Sequence, residues 1–98
     1  MNKIKYLELI NPAMDLVVKK HEDYNAGGIE LAEYFPLGHV SYTQMLHVKT
    51  MRLVSLCKSE RAPNFESVVD TVNDLINYAV FYLEYLEYLE YLGEKNGK

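Results

Sequence analysis

The feature that most constrains this chain is one uninterrupted helical segment near its C-terminus. From Phe65 to about Leu92 the sequence contains neither proline nor glycine, and Gly93 is the first residue that would end a helix. At 1.5 Å per residue this segment is about 42 Å long. A helix of that length in a chain of 98 residues must project beyond the body of the domain or pack against another chain.

Two shorter helices are predicted before it. Asn11-Pro12 indicates a helix start, because asparagine caps the first amides and proline is tolerated in the first turn. This helix should run to about Asp23 and end at Gly27-Gly28, whereas residues 1–10 give no clear prediction. Its inward side chains are predicted to be Met14, Leu16, Val17 and Val18.

The second helix is predicted from a capping box, in which Ser41 is followed three residues later by Gln44. It should end near Ser59, and residues 29–35 leave room for one or two helical turns before it. Asn64 is the predicted cap of the last helix. The fold class is therefore all-α: a small helical bundle with a long C-terminal helix. We expect one domain over 1–98, with its core at about 12–83 and a disordered tail at 93–98.

The C-terminal half of the long helix repeats the triplet Tyr-Leu-Glu. A period of three residues drifts by about 60° per repeat on a helix of 3.6 residues per turn. The leucines of the repeat therefore wind around the helix and form no heptad seam. We interpret residues 82–92 either as a tolerated helical extension or as an oligomer contact rich in tyrosine.

Charge and hydropathy exclude several classes of protein. The net charge of −4 argues against binding to a nucleic-acid polymer, which needs a basic surface, but leaves room for one small phosphorylated ligand. No window has about 18 uncharged apolar residues, so we expect no membrane partner. The first residues do not resemble a signal peptide, and the single Cys57 is expected to be a reduced core residue, which together indicate the cytoplasm.

Short acids and amides form a stripe on one face of the long helix. Asp70, Asn73, Asp74 and Asn77 lie within about 80° on a helical wheel, with valines and leucines on the opposite side, which we expect to face the core. Aspartate and asparagine are poor helix formers, so this stripe opposes local propensity and predicts a ligand-facing wall. A solvated surface face is the alternative.

Cations and rings elsewhere could meet this wall. Lys49 and Arg52 lie one turn apart on the second helix, and could either clamp a phosphate or form salt bridges to Asp70 and Asp74. Rings on loops can stack on a base, although they can equally fill a small core. The further candidates for ligand binding are Lys20, Asp23, Tyr24, His39 and Tyr42. The histidines lack the spacing of a metal site, so we predict no bound metal and no catalytic residue.

Several strings resemble a family of small phage proteins called nucleotide-modification-associated domain 1. The resemblance covers roughly residues 18–83, in Lys20-x-x-Asp23-Tyr24, Lys49-x-x-Arg52-Leu53 and Asp70-Thr71-x-x-Asp74-Leu75-Ile76-Asn77-Tyr78. It implies a nucleotide context more than an activity. If the chain is phage-encoded, its expected location is the cytoplasm of the host cell.

The layout is in turn similar to the all-α nucleoside triphosphate pyrophosphohydrolases of the MazG type. Those enzymes hold Mg²⁺ with acid pairs on two neighbouring helices, and the second helix here carries Lys49 and Arg52 where the acids should be. We therefore expect a non-catalytic module that sequesters a nucleotide or a nucleotide-derived immune signal and forms a homo-oligomer. The alternatives are an atypical Mg²⁺-dependent pyrophosphohydrolase using Asp70 and Asp74, and a purely structural helical oligomer.

Overall fold

The computed structural model describes residues 1–59 and 65–95, with side chains at 1–59 and 67–93. Within these ranges the chain is all-helical, as predicted, and the last helix is the longest. The elements are α1 (Lys3–Asn25), a short 3₁₀ helix (Leu31–Tyr34), α2 (His39–Lys58) and α3 (Phe65–Lys95). None of the described helices is both long and apolar enough to cross a membrane.

The start of α1 differs from the prediction at Asn11-Pro12. The Oδ1 atom of Asn2 accepts a hydrogen bond of 3.0 Å from the backbone N–H of Lys5, so Asn2 is the cap and α1 begins at Lys3. Pro12 lies inside the helix, where it leaves the carbonyl of Glu8 without its usual partner. Good helix formers on both sides allow α1 to continue past this defect.

The predicted capping box of α2 is also wrong. α2 begins at His39 after Gly38, whose φ of 59° and ψ of −125° suit only glycine. Ser41 lies in the first turn, and its Oγ accepts a 2.9 Å hydrogen bond from the N–H of Leu37. The side-chain oxygen thus fixes the loop before the helix, while Gly38 makes the turn that starts it.

The C-terminal boundary of α3 lies beyond the predicted one, because Gly93 is inside the helix and α3 continues to Lys95. The predicted disordered tail is therefore helical at 93–95, and 96–98 lie outside the described residues, as does the predicted cap Asn64. The segment 82–92 is not wholly an extension either. Tyr82 and Tyr85 pack against the core of the bundle.

Side-chain contacts define the arrangement of the helices. Lys20 contacts Asp74 and Tyr24 contacts Tyr78, so α1 runs parallel to α3. Lys49 contacts Asp74 while Tyr42 stacks on Tyr82 and Tyr85, so α2 runs antiparallel to α3. Because position 20 is level with 74, the residues of α1 before about 11 extend past the start of α3. All side chains from 1 to 12 are accordingly exposed.

The core is small and mainly aromatic. The ring of Phe35 stacks on Tyr42 at 4.2 Å between centroids, and Tyr42 stacks on Tyr82 at 5.2 Å. Such ring pairs contribute about 0.5–1.5 kcal/mol each beyond their buried area. From α1, Ala13 is fully buried and Val17 packs on the core, but the predicted inward residues Leu16 and Val18 are exposed. Cys57 is exposed as well.

The orientation of α3 is the largest departure from the sequence prediction. The wheel placed the valines and leucines inward, yet Val69 and Val72 are 41% exposed and Leu83 is 63% exposed. The buried positions are instead Thr71, Asn77, Tyr78 and Phe81. The aromatic rings of α3 lie on the side of the acids and amides, and their larger area directs that side toward α1 and α2.

Candidate ligand-binding site

Two lysines from different helices converge on one carboxylate of α3. Lys20 Nζ donates a 2.8 Å hydrogen bond to Asp74 Oδ1, and Lys49 Nζ lies 3.3 Å from Asp74 Oδ2. The three side chains are only 20–29% exposed, so their charges interact more strongly than those of a surface pair. Two ammonium groups and one carboxylate leave one surplus positive charge among the three helices.

The Asp74 carboxylate is held in its ionised form. Partial burial by itself raises the pKa of Asp74, but the hydrogen bonds and charges of Lys20 and Lys49 outweigh it and lower the pKa below 3.8. Both carboxylate oxygens are therefore engaged by ammonium groups at neutral pH.

Two tyrosines complete what we call the lysine–aspartate centre (Lys20, Tyr24, Lys49, Asp74 and Tyr78). The ammonium groups of Lys20 and Lys49 lie 4.9 and 5.8 Å from the centroid of the Tyr78 ring, within the range of cation–π attraction. The hydroxyls of Tyr24 and Tyr78 are hydrogen-bonded at 3.0 Å. Burial, followed by the hydrogen bond and charge of Tyr78, raises the pKa of Tyr24 to about 12, so this phenol stays protonated.

Between Asp74 and Tyr78 on α3, Asn77 is fully buried without a hydrogen-bond partner in the described part of the chain. Neither Oδ1 nor Nδ2 of its amide is paired. Burying an amide in this way costs roughly 1–3 kcal/mol. The equally buried Thr71 differs, because its hydroxyl donates a 2.7 Å bond to the carbonyl of Ser67. Among the described residues, Asn77 is thus a polar side chain that packing alone does not explain.

An aromatic cleft of about 400 Å³ opens further along α3. Its volume lies within the range of small-molecule sites, about 300–1,000 Å³. On one side His21 Nε2 lies 3.7 Å from Glu84 Oε1. Burial, with Glu84 and Tyr85 nearby, raises the pKa of Tyr42. The residues lining the cleft are His21, Glu30, Leu31, Ala32, Tyr42, Phe81, Glu84, Tyr85 and Tyr88.

The structure brings together some of the predicted ligand-binding residues and separates others. Lys20, Tyr24, Lys49 and Asp74 meet in the lysine–aspartate centre, and the buried Asn77 adjoins it. Tyr42 instead lines the aromatic cleft, and His39 lies nearby, with its Nδ1 atom 2.7 Å from the Tyr82 hydroxyl. The predicted residues outside both groups are Asp23, Arg52 and Asp70, which are exposed, and Asn73, which is half-buried.

The predicted Lys49–Arg52 clamp is therefore not formed. Lys49 turns to Asp74, which matches the salt-bridge alternative, and the side chain of Arg52 is exposed. The residue that partners Lys49 is Lys20, from the other side of α3. A sequence signal for this pair existed only in Lys20-x-x-x-Tyr24 and Asp74-x-x-x-Tyr78, whose equal spacing fits two parallel helices in contact.

Sequence reasoning missed Tyr78, Phe81, Glu84 and Tyr85 as site residues. Tyr78 and Phe81 were hidden because the apolar face of the wheel was assigned to the valines. Glu84 and Tyr85 lie in the Tyr-Leu-Glu repeat, which was interpreted as extension or contact surface. Among the described side chains, no three histidines, cysteines or acids gather closely enough to hold a metal ion.

Comparison of the chain with protein-family models, with curated proteins and with solved structures finds no match. The resemblance to the phage family therefore stays a prediction carried by the sequence strings alone.

Proposed function

We propose that this protein is a non-catalytic binding module for a small nucleotide-type ligand, which it sequesters. The observation that carries the proposal is the lysine–aspartate centre, where Lys20 and Lys49 leave a surplus positive charge in a half-buried position. A phosphate bound there would meet two ammonium donors at reduced dielectric, where charge-assisted hydrogen bonds are strong.

Asp74 has a defined role in this proposal. It holds both lysines in place before the ligand arrives, and it competes with the phosphate for them. Pre-organised cations lose less side-chain entropy on binding than mobile surface lysines do. Competition by the carboxylate limits affinity, so that only a ligand with additional contacts binds well.

The aromatic cleft supplies those additional contacts. A nucleobase could stack on Tyr88, which lines the cleft and is 53% exposed, since base–aromatic stacking contributes about 1–3 kcal/mol. Glu30 and Glu84 would accept hydrogen bonds from ring and amino N–H groups of the base, and would repel a phosphate from the cleft. Seven residues of α3, about 10 Å, separate Asp74 from Phe81, a distance that one nucleotide can span.

The pyrophosphohydrolase alternative receives less support from the same residues. It needs Asp70 and Asp74 to hold Mg²⁺, but Asp70 is exposed and both oxygens of Asp74 already contact lysines. Cations in these positions favour gripping phosphate over holding a metal. A phage origin and an immune signal as the ligand rest on the sequence resemblance, and belong to the proposal.

The test compares two adjacent lysines of α1. Lys20→Gln removes one ammonium of the centre, whereas Lys19→Gln removes an exposed charge on the same helix and serves as the matched control. The melting temperature is measured with nucleoside mono- and triphosphates, cyclic dinucleotides and inorganic phosphate. At least one nucleotide should raise it in the wild type and in Lys19→Gln, but not in Lys20→Gln.

Asp74→Asn gives a second, opposite readout. The amide oxygen of this variant can still accept a hydrogen bond from a lysine and keep it in place, but the competing negative charge is gone. An anionic ligand should therefore bind several-fold more tightly, provided that the variant folds by circular dichroism. No shift of the melting temperature with any nucleotide would reject the proposal, and so would an equal loss in Lys19→Gln and Lys20→Gln.

A further inference from the structure

One stripe of apolar side chains on α3, exposed except for the half-buried Ile76, follows a heptad pattern. Their spacing alternates between three and four residues over 18 positions, which equals the a and d positions of a coiled-coil seam. The pattern ends where Glu90 occupies the next position, so it overlaps only the start of the Tyr-Leu-Glu repeat. The members of this stripe are Val69, Val72, Ile76, Ala79, Leu83 and Leu86.

This apolar stripe lies opposite the face that α3 packs into its own bundle. Leu83 is 63% exposed and Leu86 39% exposed, whereas Phe81, two residues before Leu83, is 1% exposed. The stripe leaves on the order of 400 Å² of apolar surface open per chain, comparable with the largest patch of a typical monomer. A helix that is apolar on two opposite faces is suited to lie between its own bundle and a second partner.

We propose that the partner is a second copy of this chain, paired antiparallel through the apolar stripe of α3. Antiparallel pairing of two identical stripes matches position i with 155 − i. It places Val69 against Leu86, and Val72 against Leu83. At the centre Ile76 faces Ala79, a large side chain against a small one, on both sides of the two-fold axis.

Parallel pairing fits less well, because it would place each residue against its own copy. Two alanines would then leave a gap at position 79, directly beside two crowded isoleucines at position 76. Antiparallel pairing instead gives layers of similar volume along the whole stripe. The protein therefore forms a two-fold dimer in which every layer combines two different side chains.

Charge supports a second copy and the same orientation. The chain carries a net charge of −4, yet only one of the six positions that flank the stripe is charged. Two copies can therefore meet through the stripe with little electrostatic repulsion. Antiparallel pairing places the acidic end of α3 near the start of the other α3, where α2 ends in Lys58. Parallel pairing would bring the two acidic ends together. The flanking residues are Val68, Asn73, Leu75, Val80, Tyr82 and Glu87.

The first test measures the molar mass by sedimentation equilibrium from about 1 to 200 μM, a range suited to an interface near the lower limit for stable complexes, about 1,000 Å². Leu83→Lys should weaken dimerisation at least about 100-fold, because each dimer would bury two ammonium groups. Val40→Lys is the matched control, since Val40 is 62% exposed on α2 and Leu83 is 63% exposed. The wild type and Val40→Lys should be dimers, and Leu83→Lys a folded monomer by circular dichroism.

The second test determines the orientation by disulfide formation in chains that carry Cys57→Ser. Val69→Cys and Leu86→Cys chains of different mass are mixed and oxidised. Antiparallel pairing predicts the mixed 69–86 disulfide, whereas parallel pairing predicts 69–69 and 86–86. A monomeric wild type at 200 μM, a dimer unaffected by Leu83→Lys, or a majority of like-with-like disulfides would each overturn the proposal. Because no nucleotide is used, these results are independent of the proposed ligand.

Discussion

Replacing Gly38 by alanine should lower the free energy of unfolding through two separate contributions, backbone strain and a collision with Tyr85. Its φ of 59° with ψ of −125° is a conformation that other residues avoid, so Gly38→Ala should cost about 1–3 kcal/mol of backbone strain. A Cβ at this position would also lie 2.6 Å from Tyr85 Oη and 3.4 Å from its Cζ. The ring of Tyr85 is confined by stacking on Tyr42, with 5.0 Å between centroids.

The collision with Tyr85 should therefore add about 1–3 kcal/mol, the usual cost of overpacking. In total we expect Gly38→Ala to lower the free energy of unfolding by about 4 kcal/mol. For a domain of this size that corresponds to a loss of roughly 15–30 °C in melting temperature.

A double-mutant cycle separates the two contributions. In Tyr85→Phe the phenol oxygen is gone, so the added Cβ meets less obstruction and Gly38→Ala should cost only about 2 kcal/mol, the backbone part. Urea unfolding of the four proteins is followed by circular dichroism at one fixed protein concentration, because the proposed dimerisation would make stability depend on concentration. An equal cost in both backgrounds would refute the predicted contact, and a cost below about 0.5 kcal/mol would refute the backbone conformation.

Three further predictions concern charge, a buried amide and a helix defect. The lowered pKa of Asp74 means that its ion pairs stabilise the fold above about pH 4 and are lost as the pH falls through that pKa. Asp74→Asn should therefore lower the free energy of unfolding by about 1–2 kcal/mol at pH 7. It should also remove part of the acid sensitivity seen in unfolding curves from pH 7 to 2. Asn77→Leu replaces a buried amide that has no partner among the described residues by an apolar side chain, and should raise the free energy of unfolding by about 1–2 kcal/mol. A lower stability in urea would show that the amide is paired. Pro12→Ala restores the backbone hydrogen bond from residue 12 to the carbonyl of Glu8 and should make the helical state of residues 3–11 more stable by about 1–3 kcal/mol. The helical ellipticity should rise, while the melting temperature of the bundle changes little because these residues melt independently, and an unchanged ellipticity would contradict the prediction.

The sequence was sufficient to predict an all-α fold and its main helices, because apolar periodicity and the glycines between helices are local signals. The sequence did not predict the first residues of α1 and α2, which depend on individual hydrogen bonds. Asn2 caps α1 nine residues before the predicted start, since the strong Asn-Pro signal could not reveal whether the helix continued through it. Serine is a common helix-capping residue, but Oγ of Ser41 accepts a hydrogen bond from the N–H of Leu37 in the loop before α2.

Residue type on the helical wheel predicted part of the site, and the same criterion led to the wrong core face of α3. The stripe of acids and amides on α3 was recognised because it opposes helix propensity, and Asp74 and Asn77 do lie inward. The partner of Asp74 was only half identified, since Lys20 comes from a helix whose parallel course the sequence does not reveal. The apolar composition of the opposite face predicts a core, but this criterion does not distinguish an intramolecular core from an interface between chains.

The overhang of α1 has a consequence for the dynamics of this fold. Residues 3–11 extend past the start of α3, and a free helix of fewer than about 12 residues is marginal in water. Pro12 interrupts the hydrogen-bond ladder where the overhang joins the bundle, and the buried Ala13 is the first anchored residue. The overhang should therefore melt and re-form independently of the bundle, with rapid amide exchange up to about residue 15, because these amides bond to carbonyls of the overhang, and with strong protection beyond it. The bundle thus carries an N-terminal helical arm that can lose its structure without loss of the fold.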